Sequence, residues 1–482
     1  MKRLLSSLFV LASVYVSGQN EVDALRYSFH SNSMTGRSAG MGGSFGALGA
    51  DFSAFFNNPG GIGQFKRGGL EFGLTVNDQA SAATYMDQTS NNSATRFGIQ
   101  NFGIIGSQST KNKDWSTINF GFAYGRVNNF NQKISIDGTA TATSLLDVFA
   151  FQAAGTHPDE VTDAFPFGAG LAYQTYAINP IDTQGVSYAP AITSGAVRQQ
   201  KNIDRSGSQS NTAFGAGANY RDLFSVGVSV NFMSVRFRDR SVYTETYGVG
   251  QDLTNMSYTE DLTSTGTGIS LKIGTIYKPT KWLRIGTAFH SRTYLSMREL
   301  YTASMNTALL AGNRYDYTSP ELGTDYSIRT PARMQVNAAF ILAKFGVIAA
   351  DYEYANYNRI RMNGTGLMNN YNYEAENKTI GTVYRGTHRA SVGAEFRVME
   401  AYYTRLGVAY QQSPFVNNVA ENSPWMTYSA GLGFKRDHFY IDFSTAYSSR
   451  NESYYLYDPA LVKETKVRHD LLTMILSFGI KY

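Results

Sequence analysis

Leu472-Thr-Met-Ile-Leu-Ser-Phe-Gly-Ile-Lys-Tyr482 is the stretch on which the fold turns. Side chains alternate along an extended strand, so Leu472, Met474, Leu476, Phe478, Ile480 and Tyr482 share one face. Thr473, Ile475, Ser477, Gly479 and Lys481 share the other. These eleven residues are long enough to cross a bilayer at a tilt. An apolar strand that ends on an aromatic, with no polar tail, suits the last stave of a closed barrel. That stave must pair with the first so that no edge stays open. The expected partner is a strand near Gly69–Val76.

Composition agrees. Of 482 residues, 43% are hydrophobic, 14% aromatic and only 16% charged, where a soluble domain carries about 25% charge. No apolar run of about 18 residues follows the N-terminal region, so spanning helices are not expected. Residues 1–18 read as a signal peptide: Lys2 and Arg3, an apolar region from Leu8 to Val16, then Ser17 and Gly18, with Gln19 first after cleavage. The absence of cysteine excludes a lipid-anchored N-terminus and disulfides. A net charge of +5 with no concentrated basic face excludes nucleic acid as a partner.

Alternation recurs along the chain. Ile269, Leu271, Ile273 and Tyr277 share a face, as do Leu283, Ile285 and Phe289, and Phe439, Ile441, Phe443 and Tyr447. Phe224 to Phe232 alternates on even positions and Val235 and Phe237 on odd ones, which predicts a bulge near Met233. The opposite faces carry Lys272, Arg284, Arg236, Arg238, Glu353, Glu395 and Asp442. In a barrel these are lumen residues; in a soluble sandwich they would be the solvated exterior.

Connection lengths separate the two. Strands at roughly 69–80, 93–108, 116–137, 208–220, 222–248, 260–278, 281–302, 326–342, 344–362, 386–398, 401–413, 426–436, 438–455 and 467–482 make about fourteen, an even number. Short joins fall at Lys111–Asp114, Tyr220–Arg221, Pro279–Thr280, Lys344, Met399–Glu400 and Arg436–Asp437. Long ones fall near 81–92, 138–207, 249–259, 303–325, 363–385, 414–425 and 456–466. The expectation is an all-β transmembrane antiparallel barrel over 68–482 with long extracellular loops, the largest about 138–207, and both termini periplasmic. Within the loops, 144–154 reads as a helix capped by Ser144 with Asp147 three residues on, and 305–311 as a weaker helix. Leu145, Leu146, Phe149 and Phe151 would either pack the loops together or give a capture surface for hydrophobic ligands.

Residues 19–67 differ in character. Gly36-Arg-Ser-Ala-Gly-Met-Gly-Gly43 and Phe56-Asn-Asn-Pro-Gly60 are rich in glycine, which allows tight backbone approach. No Gly-Lys-Ser/Thr ending supports a phosphate cradle, so a plug inside the barrel is the better placement.

Those two motifs, with Ala47-Leu-Gly-Ala-Asp51, Ile62 and Phe65, resemble the hatch of the FadL/OMPP1/TodX outer-membrane transporters. That family commonly reads Asn-Pro-Ala where this chain has Asn58-Pro59-Gly60, a change expected to loosen the turn. The resemblance assigns Gly40, Gly42, Gly43, Asn58, Pro59 and Gly60 to the hatch. It implies passive uptake of hydrophobic small molecules, long-chain fatty acids or aromatic hydrocarbons, caught at the loops. They would enter an apolar pocket and leave sideways at an inward kink in the third strand. Gly125, Asn128 and Asn129 are the kink candidates. A Gram-negative outer membrane with its lipid and lipopolysaccharide would surround the protein. The terminal aromatic is similar to the signal read by the barrel-assembly machinery.

Two other roles fit the same sequence features. A Bacteroidetes branch of the same family resembles the hatch too and serves as a partner subunit of an outer-membrane protein secretion complex. A continuous apolar pocket beneath the hatch would favour transport over that role. An enzyme is the other. His30, His157, His290, His388, His438 and His469 form no His-Glu-x-x-His, and no supported nucleophile elbow exists. No catalytic residue, metal site or cofactor is therefore expected, and His290 reads as a lumen lining residue.

Overall fold

The computed structural model describes residues 21–29, 34–112, 114–140, 143–193, 195–365, 371–416 and 423–482. The signal-peptide reading and His30 lie outside these residues. A closed antiparallel barrel of 14 staves makes up most of the chain. The seam joins Gly69–Tyr85 to Thr465–Lys481, in register from Gly69 opposite Lys481 to Thr84 opposite Lys466. Closure at this seam leaves neither the first nor the last strand with an open edge, which a lipid-facing sheet requires.

The wall sheet contains 19 strand segments, because four staves are interrupted and one short strand, Arg314–Thr318, only extends a hairpin. The interrupted staves are the third (Trp115–Asn129, then Gln132–Ala140), seventh (Leu283–His290, then Tyr294–Leu309), eighth (Leu322–Arg329, then Arg333–Leu342) and ninth (Gly346–Asn356, then Arg361–Gly364).

Lipid contact explains the alternation. Val228 and Phe232 of the fifth stave (Phe224–Tyr247) are exposed, while Ser229 and Asn231 between them are buried. On the closing strand Phe478, Ile480 and Tyr482 face out and Ser477 faces in. Trp115, Tyr277, Trp282 and Tyr402 mark the rim of short turns. Aromatic residues at such a level sit between hydrocarbon and water.

Four expectations need correction. The fifth stave has no bulge near Met233; its ladders to both neighbours run unbroken. What changes is the medium, because Met233, Val235 and Phe237 face an apolar lumen just where the outer face turns polar. For the same reason Arg236 and Arg238 lie on the outer wall, above the lipid band, whereas Lys272, Glu353, Glu395 and Asp442 are buried inside. The long loop near 81–92 does not exist. Strands Gly69–Tyr85 and Gln88–Ser109 meet at Met86-Asp87, whose φ values of +47° and +63° suit a two-residue hairpin turn. Residues 305–311 are no helix, since the seventh stave continues through Leu309.

Candidate functional site

The segment before the first stave folds inside the barrel as four short helical pieces, Glu21–Ser28, Gly36–Gly40, Phe52–Phe55 and Pro59–Gln64. Thr35 caps the second: its hydroxyl accepts the Ser38 amide (3.2 Å) and its own amide reaches the Ser38 hydroxyl (2.9 Å). Gly42, at φ +66°, then turns the chain against the backbone of Val408, 3.1 Å from where a Cβ would sit. Asn58 caps the last piece by accepting the Gly60 amide (3.0 Å). Its Nδ2 donates to Gly46 O (2.8 Å) and Thr275 O (3.1 Å), tying hatch to hatch and hatch to wall.

Wall side chains reach in to hold the carbonyls that these short pieces leave free. Asn119 donates to Ile62 O and Phe65 O (2.7 and 2.9 Å), Lys272 Nζ to Phe56 O (2.8 Å) and Ser229 to Phe55 O (2.9 Å). His290 Nε2 lies 2.6 Å from Asn57 O, so this lumen histidine binds the hatch. Sequence reasoning placed it inside but had no signal for its partner. Phe52, Phe55, Phe56 and Ile62 bury themselves against Ile105, Ala123 and Ala213 of the wall.

Gly60 tightens the turn. A Cβ there would stand 2.7 Å from the Thr275 backbone, so glycine is what the close approach demands, contrary to the expected loosening. Gly60→Ala should therefore lower stability by about 1–3 kcal/mol, as overpacking does. A fall in the temperature at which the folded band unfolds on gels checks this; an unchanged temperature refutes it.

A charged knot lies at the foot of the hatch. Arg37 donates twice to Glu395 (2.9 and 2.6 Å), and Arg405 bridges Glu395 and Asp442 (2.7 Å each). Burial works against the Arg37 charge, but the Glu395 carboxylate outweighs it and holds the guanidinium protonated. Below this knot a cavity of about 1040 Å³ opens among the short turns, lined by Arg37, Asp51, Glu395, Arg405, Lys435 and Asp442. The continuous apolar pocket beneath the hatch that would favour transport over a subunit role is thus not what lies there; this cavity is lined by charged groups.

Above the hatch lies a filled apolar cluster. Phe130, Met233, Val235, Phe237, Leu295 and Met297 form a buried chamber wall. The helix Glu21–Ser28 fills it with Ala24 and Tyr27, Tyr27 packing edge-on to Phe130 (6.1 Å) and Phe237 (6.2 Å). Nothing in the sequence singled out this helix, which is too polar and short to show a clear stripe.

Beside the chamber the wall parts. The third stave pairs with the second only from Ser109 opposite Thr117 to Asn101 opposite Gly125. Beyond that, Val127 is an extra residue against the fourth stave (Val197–Tyr220), where Arg126 faces Ser210 and Asn128 faces Gln209. The stave then breaks at Phe130 and Asn131 and moves inward, so the upper second stave keeps one neighbour. Gly125, Asn128 and Asn129 flank this bulge, and Asn128 Nδ2 donates to Phe29 O of the N-terminal segment (3.1 Å).

At the far rim three helices, Leu145–Ala153, Pro158–Ala164 and Ala169–Gln174, cap the barrel. Leu145, Leu146 and Phe149 are buried in this cap and only Phe151 is open (68% exposed), so the four form no common landing face. Ser144 and Asp147 make the capping box. The cap hangs on buried Glu245, which accepts from the Ser144 hydroxyl, Leu145 N (2.9 Å), Tyr243 (2.6 Å) and Tyr247 (2.8 Å). Glu245→Ala should make the 141–196 segment sensitive to external protease while the barrel stays folded. Equal resistance in both proteins would refute the tether.

Among solved structures, the chain is similar to the Pseudomonas putida toluene transporter TodX at 12% identity, covering 94% of this chain and 99% of that one, with a TM-score of 0.54. A Pseudomonas aeruginosa FadL homologue gives 14%, 94%, 98% and 0.54. The Ralstonia pickettii toluene transporter TbuX gives 14%, 94%, 99% and 0.52. At these identities the likeness speaks for the fold. No curated protein matches in sequence. The family model described as outer membrane protein transport protein (OMPP1/FadL/TodX) matches residues 14–456. With its closed barrel, internal hatch and that match over most of its length, the chain belongs to the OMPP1/FadL/TodX family of outer-membrane transport proteins.

Proposed function

We propose that this protein takes up hydrophobic small molecules, long-chain fatty acids or aromatic hydrocarbons, and releases them sideways through the wall. The observation that carries this is the apolar chamber set behind the break in the third stave. A greasy solute in a water-filled pore would gain nothing; in an apolar chamber it loses its hydration cost, about 25 cal/mol per Å² of apolar surface buried. The helix Glu21–Ser28 is the solute's competitor for that space, and its displacement opens the path. The hatch residues Gly40, Gly42, Gly43, Asn58, Pro59 and Gly60 bar the direct route to the charged cavity below. Phe151 is the remaining candidate for capture at the mouth, and Gly125, Asn128 and Asn129 serve the exit.

In this reading the short turns and both termini face the periplasm of a Gram-negative cell. Outer-membrane lipid and lipopolysaccharide surround the wall, and the barrel-assembly machinery inserts it. The test is uptake of radiolabelled oleate and toluene by cells with and without the protein, with native mass spectrometry of the purified material. Faster uptake, or a bound hydrophobic molecule, supports transport. No stimulation with any solute, together with a stoichiometric protein partner, would replace it by a role in a protein complex.

A further inference from the structure

Three rungs of the outer wall carry one more site. Cross-strand pairing aligns Phe232, Ile269 and Tyr294 on the fifth, sixth (Leu253–Tyr277) and seventh staves, all exposed. One outward rung higher stand Ser234, Thr267 and Ser296, and one higher again Arg236, Thr265 and Arg298. The fourth stave adds Ser210 and Ser208 to these two rungs. Each rung lies two residues, about 7 Å of strand, above the last. Apolar side chains therefore give way first to hydroxyls and then to arginines.

The arginines bracket a groove. Arg236 and Arg298 stand on strands either side of Thr265, their Cα atoms about 10 Å apart by strand spacing. Between them runs a groove of about 480 Å³ with Ser208, Ser210, Ser234, Thr265, Thr267 and Ser296 on its sides. Three other outer-wall arginines are neutralised, Arg198 by Asp137 (2.7 Å), Arg238 by Asp261 (2.6 Å) and Arg468 by Asp470 (3.1 Å). Among the described residues no carboxylate lies within ion-pair distance of Arg236 or Arg298, although Asp325 also lines the groove, directly opposite Arg298.

We propose that this groove binds the phosphate group of an outer-leaflet lipid, its acyl chains lying on Phe232, Ile269 and Tyr294. Guanidinium forks match phosphate oxygens two at a time, and the hydroxyls supply further donors. The depth also fits, since a lipid's charged group sits just beyond its hydrocarbon. A free anion would have no use for the apolar rung, which is why the lipid is the occupant. The proposal rests on the outer-membrane setting and not on transport, so uptake is not its readout.

The test uses detergent-purified protein and native mass spectrometry with three probes: bisphosphorylated lipid A, dephosphorylated lipid A and inorganic phosphate. Wild type should retain bisphosphorylated lipid A, and Arg236→Ala with Arg298→Ala should lose it by roughly thirtyfold, the effect of two surface arginines. Lys344→Ala, a charge removed at a short turn, should retain it fully. Heat-dependent gel mobility confirms that each variant is folded. Equal retention by the double variant, or equal loss in Lys344→Ala, overturns the site. Equal binding of the dephosphorylated lipid, or displacement by inorganic phosphate, overturns the lipid phosphate as occupant.

Discussion

Glu395→Ala is expected to open the foot of the barrel to ions while the wall stays folded. Glu395 stands on the tenth stave (Gly386–Arg397) and its side chain is 7% exposed. It accepts from Arg37 of the hatch and from Arg405 of the neighbouring stave. Removing it leaves the buried Arg405 and the part-buried Arg37 with only Asp442 and Asp51 as nearby carboxylates. Breaking such a buried pair costs about 3–5 kcal/mol, because the stranded charges remain in a poor solvent. The cheapest relief is for Arg37 to withdraw into the cavity below, carrying the helix Gly36–Gly40 with it. Single-channel recording in planar bilayers should show larger and noisier conductance than wild type. Glu395→Gln keeps the shape and loses the charge, so it should fall between them. If the alanine variant conducts as wild type does, the knot is not what latches the hatch.

Deleting Val127 is expected to abolish uptake without unfolding the barrel. Val127 is the residue by which the third stave outruns the fourth, between Arg126 and Asn128. Without it the ladder becomes regular and every later residue keeps its facing, since the removal of one bulge residue restores simple alternation. The stave can then run straight and pair further along the second, whose upper edge gains hydrogen bonds. Uptake of oleate and toluene should drop to the level of cells lacking the protein, and heat resistance should hold or rise. Undiminished uptake by a folded deletion variant would mean that solutes leave elsewhere.

How far these features were legible follows from what side chains report. Where one face met lipid and the other polar lumen, as along Leu472–Tyr482 or Ile269–Tyr277, period two was plain. Above the lipid band both media are watery or both are packed, and the signal fades. Ser81, Ser90, Asn91 and Asn92 alternate nothing, so the first hairpin looked like loop although it is strand to its tip. At Met233 the apolar residues changed parity, which a single chain can explain by a bulge or by a change of medium. Only the register distinguishes them. The first hatch motif was visible because positive φ and close backbone contact restrict residue choice to glycine at Gly42. The hatch's anchors, Asn119, Lys272 and His290, lie far along the chain and carry no local mark. The chamber helix was silent for the same reason: its partners are tertiary.

The seam has a consequence for how this molecule comes to exist. Its two strands, Gly69–Tyr85 and Thr465–Lys481, are contributed from opposite ends of the barrel sequence. A ladder of that separation cannot nucleate early, since loop closure over so long a chain must precede its reward. Through most of assembly the first strand is therefore a long unpaired edge, with Leu70, Phe72 and Leu74 beside it, the kind of template that recruits other chains. Folding is guarded at one place and released at one moment: whatever shields that edge must let go when Phe478 comes to lie opposite Phe72.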